Sequence, residues 1–289
     1  MKIGTYFAYW AQEWNVNFFP FVQRAAACGF DVLELSGAGL AELSAEEAIA
    51  LRTEAKRYGI TLTACIGLPK EYDVSSDNEH IRRRGIAYMK KIMDQMEMVD
   101  IHLIGGIIYS YWPVDYSMPI FKEHTQQISI QSVQELADYA KTKDITLALE
   151  TVNRFEQFLF NDAAEATLFV KEVNRNNVKV MLDSFHMNIE EDSFHDAIIS
   201  TGKYLGHFHI GETNRKVPGK GKTPWREIIQ ALKEINYSGN IVMEPFVRMG
   251  GTVGHDIKIW RDLSSHADDS KLDVDISEGC SFIKQLLND

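Results

Sequence analysis

Short apolar runs recur along the chain, and each is followed by a stretch patterned like an amphipathic helix. The runs span residues 3–8, 32–35, 60–67, 101–108, 145–150, 178–183, 205–210 and 241–245. Eight runs, each with enough following chain for a βα unit of ~30 residues or more, predict a parallel sheet closed into a barrel. Among the intervening stretches, 45–58 carries Ala48, Leu51 and Ala55 at helical spacing behind Ser44, with Glu47 at the capping-box position. Residues 132–143 place Val133, Leu136, Ala137 and Ala140 on one face, and 225–235 do the same with Ile228, Ile229, Leu232 and Ile235. A doubly wound open sheet would usually carry a glycine-rich dinucleotide fingerprint after an early strand, and none follows the first three runs. The last pattern, at 275–287, predicts a terminal helix closing the barrel after a polar loop at 264–270. The fold expected is α/β: a single (β/α)8 barrel over residues 1–289 with a C-terminal helix.

Composition narrows the partners. Lys plus Arg number 30 against 41 Asp plus Glu, a net charge of −11, which opposes binding to a phosphate backbone. The hydrophobic share of 45% permits a substantial core. Cys28, Cys65 and Cys280 are too few and too scattered for a disulfide framework, which suits a reducing cytoplasm. The start has no secretory pattern, and no apolar stretch reaches the ~18 residues of a membrane span. The expectation is a cytoplasmic protein with no nucleic-acid or membrane partner.

Parity along the strands then picks out candidate chemistry. In 145–150, Ile145, Leu147 and Leu149 share one face and suit the helix side, leaving Glu150 inward with Thr146 and Ala148. The same alternation turns Asp183 inward in 178–183, His207 and His209 inward in 205–210, and Glu244 inward in 241–245. Four successive strands thus bring Glu150, Asp183, His209 and Glu244 toward the C-terminal mouth, where barrel enzymes place their chemistry. Three carboxylates crowded there would repel, and a divalent cation removes the conflict. Three carboxylates and one imidazole suit Mn²⁺, Mg²⁺ or Co²⁺ better than structural zinc. His207, deeper on the same face, reads as packing or as support for the site.

These residues lie in longer runs that resemble the ketose 3-epimerases, the group of D-tagatose and D-psicose 3-epimerases. The runs are ETVNRFE from Glu150, VMLDSFHMNIEE from Val180, GHFHIGE from Gly206, NRKVPGKG from Asn214 and VMEPF from Val242, with SYWP from Ser110 and the pair Tyr9 and Trp10. The resemblance covers essentially the whole chain and implies a xylose-isomerase-like barrel. It implies a Mn²⁺- or Co²⁺-type site of Glu150, Asp183, His209 and Glu244, with Glu150 and Glu244 as the catalytic pair. It further implies that Glu156, His186 and Arg215 hold the O1–O3 end of the sugar, and that Tyr6, Trp14, Trp112 and Phe246 line the pocket. His186, three residues after Asp183, is expected on a loop above the metal. Departures such as Ser184, Ile107 and residues 36–39 lie on substrate-facing loops, so they bear on the preferred sugar rather than on the chemistry.

Inverting C3 of a 2-ketose requires a proton to leave beside the carbonyl and one to return on the opposite face. A metal can polarise the carbonyl, and two carboxylates on separate strands can serve the two faces. Two rivals use a similar mouth: an aldose–ketose isomerase, which moves a proton between C1 and C2, and a non-catalytic metal- or sugar-binding barrel. A nucleotide loop at Lys220–Thr223 is rejected, because Lys216 stands where the first Walker glycine would be. Residues 250–252 after the last strand read as a turn into the final helix. The family resemblance implies a homodimer or homotetramer, with 260–262 a candidate contact.

Overall fold

The alternation of apolar runs and amphipathic stretches is realised as eight parallel strands, β1 (Lys2–Tyr6), β2 (Val32–Ser36), β3 (Thr61–Cys65), β4 (Leu103–Gly106), β5 (Thr146–Glu150), β6 (Val178–Asp183), β7 (Leu205–Ile210) and β8 (Asn240–Met243). A computed structural model describes residues 1–289. The strands pair in sequence order and β8 closes on β1, with Lys2 opposite Asn240 and Thr5 opposite Met243. The helices are α1 (Phe19–Ala27), α2 (Gly37–Ala41), α3 (Ala45–Tyr58), α4 (Glu79–Val99), α5 (Lys122–Lys141), α6 (Ala163–Val173), α7 (Ser184–Glu190), α8 (Phe194–Thr201), α9 (Trp225–Glu234), α10 (Gly251–Asp256) and α11 (Asp269–Asn288). No helix is long and apolar enough to cross a membrane.

Local signals explain several boundaries. Ser44 and Glu47 form the reciprocal capping box of α3, and Gly59 ends that helix in the left-handed conformation, where a side chain is costly. Asp162 and Ser193 cap α6 and α8 with a single bond each, accepting from the amide three residues on. Inside the barrel, a side chain at Gly105 would collide with the Met181 sulfur, so the bulk of β6 fills the space that β4 leaves.

Four expectations need correction. The first run ends as a strand at Tyr6, because Phe7–Tyr9 turn into a short 3-10 helix. Helix α5 begins ten residues before the expected 132, since its first turns are largely polar and its buried residues start only at Ser129 and Ser132. Helix α11 begins at Asp269, where the Asp268 side chain caps the Lys271 amide, so the last three residues of the expected polar loop are the helix entry. The glycines at 250–251 lead into α10, not into the final helix.

Helix α11 is tied to the start of the chain. The Tyr9 hydroxyl donates to the Leu272 carbonyl at 3.0 Å, and the Trp10 indole donates to Asp273 at 2.9 Å. Arg24 of α1 joins the same carboxylate at 2.6 Å. All three cysteines are buried and free.

Candidate active site

The strand alternation carries Glu150, Asp183 and His209 to the C-terminal rim, and Glu244 follows β8 directly, its amide donating to the Ile210 carbonyl at 2.9 Å. One donor atom from each of the four lies within 4.8 Å of the others. His209 presents Nδ1 to the group, 3.5 Å from Glu244 Oε1, 3.9 Å from Asp183 Oδ2 and 4.0 Å from Glu150 Oε1. Both His209 Nδ1 and Asp183 Oδ2 are buried and make no hydrogen bond. Buried polar atoms without partners are uncommon and call for an ion or water. Burial, and then the charge of Glu244, push the Glu150 carboxyl well above the usual carboxylate range. Burial works against a charged His209, but the carboxylates of Glu34 and Glu244 outweigh it and hold the imidazole well above its usual value. A cluster of hard oxygens with one imidazole, separated by the few ångströms that ligands of one ion share, fits a divalent cation.

The helpers converge around this cluster. His186 lies in the first turn of α7, not on a loop as expected. Asp183 Oδ1 caps that helix, accepting from the amides of Phe185 at 2.6 Å and His186 at 3.3 Å. His186 Nδ1 accepts from the Asn153 side chain at 2.7 Å, which leaves Nε2 to carry the ring's N–H. Glu156 accepts from the Trp112 indole at 3.0 Å and from Asn153 at 3.2 Å. Burial pushes Glu156 up, but His186 and Arg215 outweigh it and hold the carboxyl below its usual value. Arg215 stacks on Phe185, 3.6 Å from the ring centroid, and its Nη1 lies 3.4 Å from Glu244 Oε2.

Tyr6, Trp14 and Phe246 form an aromatic wall, with centroids 6.3 to 6.4 Å apart. Trp14 is fixed by an indole bond of 2.8 Å to Asp256. All seven expected substrate residues, with Glu150 and Glu244, line one recess of about 70 Å³. The recess opens past Trp112, Glu156 and Arg215 into a vestibule of about 450 Å³. Burial pushes the Cys65 thiol, also in its wall, well up, so this cysteine is not a ready nucleophile.

Two residues of the site escape the sequence reading. Glu34, on β2, is fully buried behind His209. The signal was present: a lone acid between Leu33 and Leu35 in VLELS must face the barrel interior if those leucines face the helices. Glu212 is also fully buried and organises the loop that carries Arg215. It accepts from the Gly219 amide at 2.7 Å, the Thr223 amide at 3.0 Å and the Trp225 indole at 2.8 Å. The rejected nucleotide loop is part of this turn, with Lys220 paired to Asp275.

A family model described as "Xylose isomerase-like TIM barrel" matches residues 22–268. A D-psicose 3-epimerase of Agrobacterium fabrum is 48% identical over 99% of both chains, and one of Ruminiclostridium cellulolyticum is 47% identical over 99% of this chain and 98% of that one. The chain belongs to the ketose 3-epimerase family. Among solved structures, a D-psicose 3-epimerase crystallised in the presence of D-fructose superposes with a TM-score of 0.98 at 47% identity, covering 100% of both chains. Another, with D-tagatose, also reaches a TM-score of 0.98, at 47% identity over 99% of both chains. An L-ribulose 3-epimerase of Methylomonas is 30% identical over 99% of this chain and 97% of its own length. The resemblance to the ketose 3-epimerases is therefore borne out, as is the closed barrel with its C-terminal helix. Family members by name differ in their sugar.

Proposed function

We propose that the protein is a divalent-metal-dependent ketose 3-epimerase, inverting C3 of a free ketose such as D-psicose, D-fructose or D-tagatose, with ribulose a further candidate. One observation carries this: Glu150, at the end of β5, and Glu244, directly after β8, face one small recess and share a cluster of donor atoms with Asp183 and His209. Glu150, Asp183, His209 and Glu244 would hold the cation, Mn²⁺ in the first instance and Co²⁺ or Mg²⁺ otherwise. When bound, it would polarise the C2 carbonyl and offset the negative charge that develops as the C3 proton leaves.

The chain's own groups supply the rest. One of Glu150 and Glu244 takes the C3 proton, and the other, holding a proton, returns one to the opposite face; the roles exchange in the reverse direction. The burial and Glu244 charge that raise Glu150 suit a carboxyl able to carry that proton. Arg215 keeps Glu244 in place and offers further N–H groups to the sugar's O1–O2 end, while His186 Nε2–H adds a donor there. Glu156 accepts from hydroxyls, and Tyr6, Trp14, Trp112 and Phe246 exclude water.

Residues 1–289 would act as one catalytic domain. Its free buried cysteines support a cytoplasmic setting. Phe155 and Trp260, 72% and 67% exposed beside the mouth, support a homo-oligomer. The test is incubation with D-psicose and Mn²⁺ in D₂O. Deuterium at C3 of recovered ketose is expected. Deuterium at C1 would make the protein an isomerase, and binding without exchange would make it a non-catalytic receptor.

A further inference from the structure

Glu34 is a carboxylate at the heart of the barrel with no exposed surface. It lies on β2, opposite Tyr6 of β1 and Thr63 of β3, on the far side of the ring from β6 and β7. An ionised carboxylate taken out of water costs several kcal/mol unless it is fully paired. Here three donors meet it. The Thr63 hydroxyl and His207 Nε2 reach Oε2 at 2.9 Å each, and His209 Nε2 reaches Oε1 at 2.5 Å.

A hydroxyl and two imidazole nitrogens occupy the hydrogen-bonding positions of the two Glu34 oxygens, so the geometry makes Glu34 the acceptor and both facing nitrogens the N–H donors. An imidazole that ligates a cation is neutral and has one N–H. With that hydrogen held on Nε2 of His209, Nδ1 is the ring's lone pair, and Nδ1 is the atom aimed, without a hydrogen bond, at Glu150, Asp183 and Glu244. His207 faces no member of that cluster through a hydrogen bond; its one bonded nitrogen serves Glu34.

We propose that Glu34 is a positioning residue for the cation centre, fixing the tautomer and ring orientation of His209, with His207 and Thr63 holding the carboxylate in place. The role presupposes the cation site proposed above. Carboxylates behind ligating histidines typically alter metal affinity about 10–100-fold.

The test compares wild type with Glu34→Leu and Glu34→Gln, each stripped of metal and titrated with Mn²⁺, following free Mn²⁺ by electron paramagnetic resonance. Affinity should fall about 100-fold in Glu34→Leu and about 10-fold in Glu34→Gln, whose amide oxygen still accepts one imidazole N–H. Long-range ¹H–¹⁵N spectra of Zn²⁺-loaded, histidine-labelled protein should show His209 as the Nε2–H form in wild type. That signal should be displaced or lost in the variants, which loss of packing alone would not do. If Glu34→Leu fails to fold, the isosteric Glu34→Gln decides on both readouts. Unchanged Mn²⁺ affinity and an unchanged His209 signal would overturn the role of Glu34. Wild type that binds no Mn²⁺ would overturn the cation centre itself, and Glu34's role with it.

Discussion

Asp183 divides its two oxygens between two tasks, and His186 receives one of them. Oδ1 accepts the His186 amide at 3.3 Å and the Phe185 amide at 2.6 Å, while Oδ2 is buried without a partner and faces His209. Asp183→Asn separates the tasks. Asparagine caps a helix about as well as aspartate, so α7 and His186 should stay in place and thermal stability should change little. Mn²⁺ affinity should fall by more than the about 10–100-fold expected for losing a supporting partner. Calorimetric titration beside a melting curve checks both halves.

Replacing Glu150 by Gln removes a proton carrier while keeping the shape of the recess. Turnover should fall about 10³-fold, with sugar binding still detectable. Near-normal exchange of deuterium into C3 would remove Glu150 from the chemistry. Glu244→Gln should behave alike, with the Arg215 contact weakened from an ion pair to a neutral hydrogen bond.

Arg215 adopts a left-handed backbone, φ 63°, and stacks its guanidinium on Phe185. A lysine in its place keeps the charge but neither the planar stacking nor the fork of donors. Arg215→Lys should lower kcat/KM by about 100-fold through misplaced donors at the sugar. Steady-state kinetics on D-psicose would measure it, with the fold intact by circular dichroism.

Glu212→Ala leaves two amides and an indole N–H without their acceptor. At about 1–3 kcal/mol for each buried group left unpaired, the loss should exceed about 3 kcal/mol where the turn cannot rehydrate. Urea unfolding gives the stability. A rise in KM beyond the stability loss would report the displaced Arg215.

The pH dependence of the metal-free protein has a definite sign. Glu150 and His209 both have folded-state pKa values raised above their unfolded ones, so the folded chain holds more protons. Stability should therefore fall as pH rises from the ordinary carboxylate range upward, and further above the ordinary histidine range. Mn²⁺ should displace those protons, so its affinity should rise with pH over the same interval. Melting curves across pH with EDTA, and again with Mn²⁺, should show a decline in the first series that is flattened in the second.

Much of the barrel was legible because its strands are short, apolar and buried on both faces, which leaves each polar exception conspicuous. Glu150, Asp183 and His209 stood out as polar ends of such runs. Glu244 did too, although β8 ends one residue earlier, at Met243. Glu34 was passed over because a mid-strand acid between leucines does not reveal which partners neutralise it; His207 and His209 come from β7, 173 and 175 residues away. The start of α5 and the first turn of α11 were missed for a different reason. Their opening residues are mostly polar and solvated; α5 has no side-chain cap and α11 has only Asp268, so little marks either start. His186 was misplaced because Asp183 was read only as a ligand, when it is also the residue that starts a helix.

The seam between β1 and β8 joins Lys2 to Asn240, and the Tyr9–Leu272 bond lies beyond it. A chain still emerging from the ribosome carries seven strands with two unpaired edges until Asn240 appears. The first strand must wait for the last, and such distant pairing is slow and exposed to misassociation. Late synthesis is thus the vulnerable interval for this protein, and chaperone demand should concentrate there.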